Sequence, residues 1–145
     1  MKKVSILFLC TGNSCRSQMA EGWANHLKDD EIEALSAGVE AKTVDQRAVR
    51  VMMEAGVDIS SQRSKHVDEV MSVPFDYIVT LCGHAHETCP VFPSDAKKIH
   101  RGFDDPPVLA ENAASEEKAL DQYRRVRDEI RAFVETLPGF LENSE

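Results

Sequence analysis

The N-terminal segment limits the possible folds more than any other part of the chain, because it joins an apolar run, a polar loop and an amphipathic helix. Residues 4–9 (VSILFL) are mostly β-branched or apolar over the length of a strand. From Arg16 to about Leu27, apolar residues recur at steps of three and four. A helix with one apolar face directly after a buried strand indicates that the helix packs on a sheet.

The remainder of the chain continues this alternation. We expect strands at 32–37, 76–81 and 97–100, and helices at 45–55 and at 116 to about 137. Alternating strands and helices predict an α/β fold with an open twisted parallel sheet of about four strands flanked by helices. A length of 145 residues fits one hydrophobic core, so we expect a single domain over 1–145.

Reactive side chains follow two of the predicted strands. Cys10 follows the first strand, and Cys82 follows the strand at 76–81. Open α/β sheets bind ligands at the carboxyl ends of their strands. We therefore expect Cys10, Cys82 and Asp105, which follows the last predicted strand, to lie together at this edge of the sheet.

The charge and the hydropathy pattern argue against several classes of partner. A net charge of -8 and a pI near 5.1 do not suit non-specific binding of nucleic acid. No apolar run reaches the length of a membrane span, and the first strand leads into polar residues where a signal peptide would be cleaved. We expect a cytoplasmic protein that binds neither nucleic acid nor membrane, and we expect it to be a monomer.

The cysteines are expected to be reduced in the cytosol. They are Cys10, Cys15, Cys82 and Cys89. Zinc sites usually have closely spaced ligand pairs, and the C-x4-C and C-x6-C spacings do not match them, even with His84 and His86 nearby. We therefore predict no metal site, and catalysis or plain burial remains open for each cysteine.

Cys10 and Arg16 delimit a C-x5-R loop, and Ser17 follows it. Successive N–H groups of such a loop, with Gly12 permitting unusual dihedral angles, can point at a tetrahedral oxyanion beside a helix N-terminus. Arg16 adds a planar fork of donors to the anion. The predicted substrate-binding residues are Thr11, Gly12, Asn13, Ser14, Cys15, Arg16 and Ser17.

The same positive potential favours the thiolate form of Cys10. A free thiol has a pKa of roughly 8.5, which a helix N-terminus and nearby cations lower by several units. We therefore predict that Cys10 is the nucleophile and that Ser17 donates a hydrogen bond to its thiolate. Cys15 is expected to be structural, because only one nucleophile in the loop needs activation.

Motifs across nearly the whole chain resemble the thioredoxin-coupled arsenate reductases, which are related to the low-molecular-weight protein tyrosine phosphatases. The shared segments are CTGNSCRSQMAEGW at 10–23, SAG at 36–38, DIS at 58–60, TLC at 80–82, CP at 89–90, GFDDP at 102–106 and RVRDEI at 125–130. The phosphatase branch usually has Ser-Pro after the loop arginine and an Asp-Pro-Tyr-Tyr acid loop. This chain has Ser17-Gln18 and Asp105-Pro106-Pro107, and both differences favour a reductase.

The resemblance implies the reduction of arsenate to arsenite by three cysteines, without a tightly bound cofactor. Cys10 would attack arsenate, and Cys82 would attack the Cys10–arsenic adduct to release arsenite. Cys89 would then attack Cys82, and thioredoxin would reduce the resulting disulfide. The resemblance also implies that Asp105 is the general acid that protonates the oxygen leaving arsenic.

The segment between Cys82 and Cys89 has a geometric constraint. If it were helical in the reduced protein, the two Cα atoms would lie about 10 Å apart, whereas a disulfide needs them within roughly 7 Å. We therefore expect residues 83–88 to rearrange during turnover. His84 and His86 are expected on this exposed segment, without a catalytic or metal-binding role.

Some members of the family use Asn13, Glu21, Ser36 and an aspartate to form a potassium site beside the loop. The position of the aspartate here is occupied by Lys65. We expect the Lys65 ammonium to replace the cation by pairing with Glu21 and to support Asn13. The alternative is an exposed lysine with no such role.

Two other functions remain open. A phosphatase would use Cys10 and Asp105 to cleave aryl phosphates, but it would not need Cys82 and Cys89, whereas the reduction of arsenate requires two electrons from thiols. A redox or metal-sensing module would use the cysteines to bind arsenite or zinc, but it would need neither Arg16 nor Asp105.

Overall fold

A parallel sheet forms the centre of the computed structural model, which describes residues 2–92 and 95–143. Its strands are β1 (Val4–Cys10), β2 (Ile32–Gly38), β3 (Tyr77–Thr80) and β4 (Lys97–His100), in the spatial order β2-β1-β3-β4. Every neighbouring pair is parallel. The predicted α/β fold and the predicted number of strands are confirmed.

Helices follow and cover the strands. They are α1 (Arg16–Leu27), α2 (Gln46–Glu54), α3 (Gly83–Thr88), α4 (Pro106–Ala110), α5 (Glu116–Glu135) and α6 (Gly139–Glu142), with a 3₁₀ turn at Val67–Val70. Asp45 and Ser115 fix where the predicted helices α2 and α5 begin, because their side-chain oxygens accept from Arg47 N at 2.8 Å and Lys118 N at 3.2 Å. The short helices α4 and α6 were not predicted.

Both faces of the central strand β1 are buried. Ile6 and Phe8 of β1 lie in the core shared with α1, α2 and α5, whereas Leu7 and Leu9 face the other side, where the 3₁₀ turn and α3 pack. Side chains alternate between the faces of a strand, so a strand covered on both sides is apolar along its whole length. This explains the unbroken apolar run at the start of the chain.

The register of β1 and β3 brings the two cysteines that follow them to the same edge. Leu9 pairs with Thr80, and the N–H of Leu81 donates to the Leu9 carbonyl at 2.9 Å. Cys10 and Cys82 therefore emerge side by side. Within the described ranges, no helix has the length and apolar character to cross a membrane.

Candidate active site

A pocket of about 470 Å³ opens at the carboxyl edge of β1. It is lined by Cys10, Thr11, Gly12, Ser14, Cys15, Arg16, Lys42, Asp45, Asp105, Pro107, Val108 and Glu111. The predicted C-x5-R loop forms one wall, and Asp105 with the start of α4 forms another. Five of the predicted substrate-binding positions line this pocket directly, while the Asn13 and Ser17 side chains lie behind it.

The carbonyl groups of the loop all point away from the pocket, because each accepts a hydrogen bond from the surrounding protein. The bonds run from Val39 N to Cys10 O (3.2 Å), Glu40 N to Thr11 O (2.8 Å), Lys42 N to Gly12 O (2.9 Å), Gln18 Nε2 to Asn13 O (2.9 Å), Asp45 N to Ser14 O (2.9 Å) and Met19 N to Cys15 O (2.9 Å). The N–H groups of residues 12–16 donate to no other group in the described part of the chain. They are therefore available to an anion in the pocket.

The unusual backbone conformation of the loop lies at Asn13, whose φ is 49°. Gly12, which the sequence predicts to permit unusual dihedral angles, is not in the left-handed region. Asparagine tolerates this conformation better than most residues. Its side chain is also fixed, because Nδ2 donates to Ser17 Oγ at 2.8 Å and to Ser36 Oγ at 2.9 Å, while Oδ1 accepts from Lys65 N at 2.9 Å.

Gly38, at the end of β2, permits the loop to pack closely against the sheet. A Cβ atom at this position would lie 2.6 Å from the Thr11 carbonyl oxygen and 2.7 Å from Asn13 N. Both are backbone atoms that cannot move without opening the loop. Gly38, the glycine of the SAG motif, therefore supports the oxyanion loop from behind, although it does not line the pocket.

The Arg16 guanidinium is buried and has one open edge. Its Nη1 donates to the Phe103 carbonyl at 3.1 Å, and its Nη2 lies 3.6 Å from Asp105 Oδ2. Its Nε is buried without a hydrogen-bond partner in residues 2–92 and 95–143. A buried donor without an acceptor is uncommon in proteins, and an anion oxygen in the loop would satisfy it.

The side chains of Cys10 and Cys82 are hydrogen-bonded to each other beside the oxyanion loop. A hydrogen bond from the Cys10 thiol is the largest cause that lowers the pKa of Cys82 to about 4, with further donation from Thr11 Oγ1 and Ala85 N against the effect of burial. The same interaction, followed by burial, raises the pKa of Cys10 well above its ordinary value. These opposite directions favour a thiolate on Cys82, whereas the sequence predicts the thiolate on Cys10.

Ser17 and Cys15 support the loop from the side of α1. Ser17 Oγ accepts from Asn13 Nδ2, and no hydrogen bond joins Ser17 to Cys10, although the structure describes both residues. The predicted contact of Ser17 with the nucleophile is therefore absent in this state. Cys15 lies in the apolar core, where burial is the main cause that raises its pKa. Its position agrees with the structural role expected for it.

Cys82 and Cys89 are the residues that cap α3 at its two ends, and both thiols are free. The Cys82 sulfur accepts from Ala85 N at 3.4 Å, and Cys89 is half-buried after the last turn. Residues 83–88 are therefore helical in the reduced protein, and a helix of this length separates the Cα atoms of Cys82 and Cys89 by about 10 Å. His84 and His86 are exposed on α3, as predicted.

Two contacts hold α3 against its surroundings. His84 Nε2 lies 3.0 Å from Glu40 Oε2. The His86 ring packs on His100 with the ring centroids 4.6 Å apart. Among the described residues, no three Cys, His, Asp or Glu side chains are grouped as a metal site.

Lys65 lies behind the loop and pairs with Glu21. The Lys65 Nζ is 3.9 Å from Glu21 Oε1, and both side chains are only 11% exposed. Ser36 Oγ donates to the same Glu21 oxygen at 2.6 Å. The predicted pairing of Lys65 with Glu21 is confirmed, and the alternative of an exposed lysine is wrong.

Sequence reasoning missed the groups that hold the loop from outside. Residues 39–45 supply most of the backbone donors, but they form no helix or strand and show no periodic pattern. Gln18 was noted only as a difference from the phosphatase branch. The sequence signal for its role is a polar side chain beside the apolar stripe of α1. Gln18 is fully buried, and a buried amide requires hydrogen-bond partners.

Known proteins are similar to this chain in sequence and in fold. A model of the low molecular weight phosphotyrosine protein phosphatase family matches residues 5–144. An arsenate reductase of Halalkalibacterium halodurans is 50% identical over 136 residues, which cover 94% of this chain and 96% of that protein. An arsenate reductase structure from Archaeoglobus fulgidus, 33% identical, covers 92% of this chain and 98% of that chain with a TM-score of 0.71.

A thioredoxin-dependent arsenate reductase of Corynebacterium glutamicum is 24% identical and shares the fold, with a TM-score of 0.70 over 99% of this chain and 64% of that chain. At this identity the likeness concerns the fold alone. The match over nearly the whole length and the identity to the Halalkalibacterium halodurans protein decide the family. The chain therefore belongs to the low molecular weight phosphotyrosine protein phosphatase family, in the branch that contains that arsenate reductase.

Proposed function

We propose that this protein reduces arsenate to arsenite and that Cys10, Cys82 and Cys89 react in that order. The observation that carries the proposal is the interaction of Cys10 with Cys82 at an oxyanion loop, where Thr11 Oγ1 also lies 3.2 Å from the Cys82 sulfur. A second thiol beside the nucleophile serves reduction and has no role in ester hydrolysis. The name of the relative at 50% identity supports arsenate as the substrate.

Arsenate binds first, in the pocket of the loop. The free N–H groups of residues 12–16 and the unpaired Nε of Arg16 supply donors for its oxygens. Phosphate and sulfate have the same shape and compete for the same groups. Selectivity then comes from the chemistry, because thiols reduce arsenic(V) but do not reduce phosphorus(V) under these conditions.

Cys10 attacks the bound arsenate. Its proton passes to the neighbouring Cys82 thiolate, and the Cys10 sulfur forms a bond to arsenic. One arsenate oxygen leaves as water after Asp105, on the wall of the pocket, donates a proton to it. Arsenic is still arsenic(V) after this step.

Cys82 and Cys89 then supply the electrons. Cys82 first releases to solvent the proton that it received, and its thiolate then attacks the Cys10 sulfur. The sulfur–arsenic bond breaks with its electron pair on arsenic, which leaves as arsenite. Cys89 attacks the Cys82 sulfur of the resulting disulfide and releases Cys10 as a thiolate. The final Cys82–Cys89 disulfide holds the two oxidising equivalents, and a dithiol reductant must remove them.

The last exchange requires α3 to unwind. About 10 Å separates residues seven positions apart on a helix, whereas the disulfide needs Cα atoms within roughly 7 Å. Unwinding is consistent with the short length of α3 and with its capping by Cys82, whose sulfur accepts from Ala85 N in the reduced protein. A disulfide sulfur carries no negative charge, so the cap weakens when Cys82 is oxidised.

Further parts of the proposal concern the surroundings of the enzyme. We propose thioredoxin as the reductant, because its dithiol is suited to a disulfide of this kind. We also propose that the protein works as a monomer, with one domain, in the cytoplasm.

Lys65 takes the place of a potassium ion, since its ammonium already neutralises Glu21 behind the loop.

Arsenate-dependent oxidation of NADPH, with thioredoxin and thioredoxin reductase, tests the proposal. Cys10→Ser, Cys82→Ser and Cys89→Ser should each abolish turnover. Cys15→Ala is the matched control, because Cys15 belongs to the loop but to no step of the relay. It should keep turnover within about tenfold of the unmodified protein.

Hydrolysis of an aryl phosphate is measured in parallel, because the runner-up function is a phosphatase that uses Cys10 and Asp105. The protein would be a phosphatase and not a reductase if the unmodified protein did not turn over arsenate and if, among the three cysteine variants, only Cys10→Ser lost aryl phosphate hydrolysis. Turnover that survives in Cys89→Ser would overturn the order of the relay.

A further inference from the structure

The carbonyl of Asn13 is held differently from every other carbonyl of the oxyanion loop. Its neighbours in the loop accept from backbone N–H groups, whereas Asn13 O accepts from the Gln18 side-chain amide at 2.9 Å. Gln18 is fully buried, so water cannot replace this donor. The orientation of one peptide unit in the loop therefore depends on a single side chain.

That peptide unit joins Asn13 to Ser14. A trans peptide is planar, and its C=O and N–H point in opposite directions. Ser14 lines the pocket, whereas Gln18 lies on the protein side of the loop and does not line it. When Gln18 holds the carbonyl on the protein side, the N–H of Ser14 is therefore directed toward the pocket.

Gln62 determines which end of the Gln18 amide meets the loop. Gln62 Nε2 donates to Gln18 Oε1 at 2.8 Å and to the Gln18 carbonyl at 3.0 Å. Because Oε1 is engaged as an acceptor, Nε2 faces Asn13 O and also donates to Arg63 O at 3.2 Å. The donors thus run in one direction, from Gln62 through Gln18 to the loop.

We propose that Gln18, oriented by Gln62, is a positioning residue that fixes the Ser14 N–H as a donor to the bound oxyanion. The inference rests on the oxyanion loop of the proposed function, but it does not depend on reduction of the anion. Without the Gln18 donor, the Asn13–Ser14 peptide can turn, because Asn13 is in the left-handed region with φ of 49°. A turned peptide presents a carbonyl oxygen to the anion in place of an N–H.

Gln18→Glu tests this positioning with almost no change of shape. An ionised carboxylate has no proton for Asn13 O and repels it, whereas a protonated carboxyl donates as the amide does. A carboxyl buried against a carbonyl oxygen has a raised pKa, so it is protonated at mildly acid pH. We expect the dissociation constant of inorganic phosphate to rise about tenfold at about pH 8 and to recover to within about threefold of the unmodified protein at about pH 5.

The ratio of variant to unmodified protein is compared at each pH, because phosphate itself titrates in this range. Gln46→Glu, at the start of α2, is the matched control for charge, since its exposed side chain donates a hydrogen bond to the Val44 carbonyl at 3.3 Å and to no loop residue in the described part of the chain. Its ratio should stay near one at both pH values. Gln62→Leu frees the Gln18 amide and should weaken phosphate binding without recovery in acid.

Tight phosphate binding by Gln18→Glu at alkaline pH would overturn the proposal, and so would an equal loss at both pH values. If Gln18→Glu does not fold, Gln62→Leu decides, and unchanged phosphate binding in that variant contradicts the inference. The thiolate absorbance should be the same in all variants, because the hydrogen bonds of Gln18 and Gln62 among the described residues do not include Cys82. Phosphate binding is also independent of arsenate turnover, so failure of the proposed reduction would be seen separately.

Discussion

Arg16 Nη2 lies 3.6 Å from Asp105 Oδ2, while the Nε of the same guanidinium has no partner among the described residues. The arginine therefore faces a carboxylate on one edge and the oxyanion loop on the other. An anion bound at Nε is brought close to the only acidic side chain that Arg16 contacts in the described ranges. In the proposed mechanism, this relationship would place the Asp105 carboxyl group beside the arsenate oxygen that leaves.

Asp105→Asn should slow the first chemical step without weakening anion binding. An amide keeps the shape but cannot protonate the leaving oxygen, and general acids contribute roughly 10²–10⁴-fold. We expect kcat for arsenate to fall about 10²-fold, with the phosphate dissociation constant unchanged or lower, because a negative charge near the anion is removed. Steady-state turnover and phosphate titration measure the two quantities.

Asp104→Asn is the matched control for this prediction. Asp104 is adjacent in sequence, but it pairs with Arg125 at 3.2 Å on the surface. Its kcat should be within about twofold of the unmodified enzyme, since an exposed pair of this kind contributes little. Equal losses in the two variants would remove Asp105 from the chemistry.

The ultraviolet absorbance of a thiolate should persist in the reduced protein from neutral pH down to near pH 4. The pKa of Cys82 is lowered to about 4, so this acidic group stays ionised in the folded chain long after a free thiol would be protonated. The Cys82 thiolate stabilises the folded protein by its full amount when the pH is above the ordinary pKa of a thiol. This stabilisation declines as the pH falls, and it is lost when the pH passes below the pKa of Cys82 in the folded protein.

Cys82→Ser should remove this acid-stable absorbance, whereas Cys89→Ser should keep it. Cys10→Ala should raise the midpoint, because it removes the Cys10 thiol, which is the main group that lowers the pKa of Cys82. Thr11→Val should raise it by less, since Thr11 is a smaller contributor. An absorbance that disappears in Cys10→Ala alone would place the thiolate on Cys10.

Much of this site could be predicted because it depends on local sequence. The apolar run of β1, the periodicity of α1 and the C-x5-R spacing fixed a strand, a loop and a helix, and parallel pairing then brought Cys82 to the same edge. The lowered pKa of Cys82 could not be predicted, because it depends on a hydrogen bond from the Cys10 thiol. Cys10 ends β1 and Cys82 follows β3, and these two strands meet only in the folded protein.

The loop conformation was also beyond sequence reasoning. Glycine at position 12 was the natural choice for an unusual backbone, but Asn13 takes the left-handed conformation because Ser36 and Lys65 hold its side chain. Those partners come from β2 and from the segment before the 3₁₀ turn. No local pattern indicates that they meet at the loop.

Oxidation of Cys82 and Cys89 should expose the backbone of α3. In the reduced protein the His86 N–H donates to the Cys82 carbonyl at 3.1 Å, and Ala85 N donates to the Cys82 sulfur. Both bonds should be lost when the disulfide forms, so amide exchange at these positions should accelerate by about tenfold or more. Hydrogen exchange of the reduced and oxidised proteins measures this change.

Cys89→Ser under the same oxidising conditions is the control for α3, because it cannot form the Cys82–Cys89 disulfide. Its exchange should remain at the reduced level. The N–H of Val79, in the buried strand β3, should be equally protected in every sample. Identical protection of α3 in the two redox states would rule out its rearrangement.

Lys65→Met should destabilise the protein and create a need for a cation behind the loop. The variant leaves Glu21 nearly buried without its ammonium partner, and removal of one member of such a pair costs about 3–5 kcal/mol. We expect a fall of that order in the free energy of unfolding, measured with denaturant. Lys28→Met removes a more exposed pair with Glu31 and should cost less than about 1 kcal/mol.

The ion dependence of turnover decides whether Lys65 replaces potassium. The unmodified enzyme should differ by less than about twofold between potassium and sodium at equal ionic strength, because the Lys65 ammonium already pairs with Glu21 and its N–H already holds Asn13. In Lys65→Met, potassium should restore part of the lost turnover, since the Glu21 carboxylate then lacks its ammonium partner and is open to a cation. Steep activation of the unmodified enzyme by potassium would mean that the ammonium does not serve as the cation, whatever the stability of the variant.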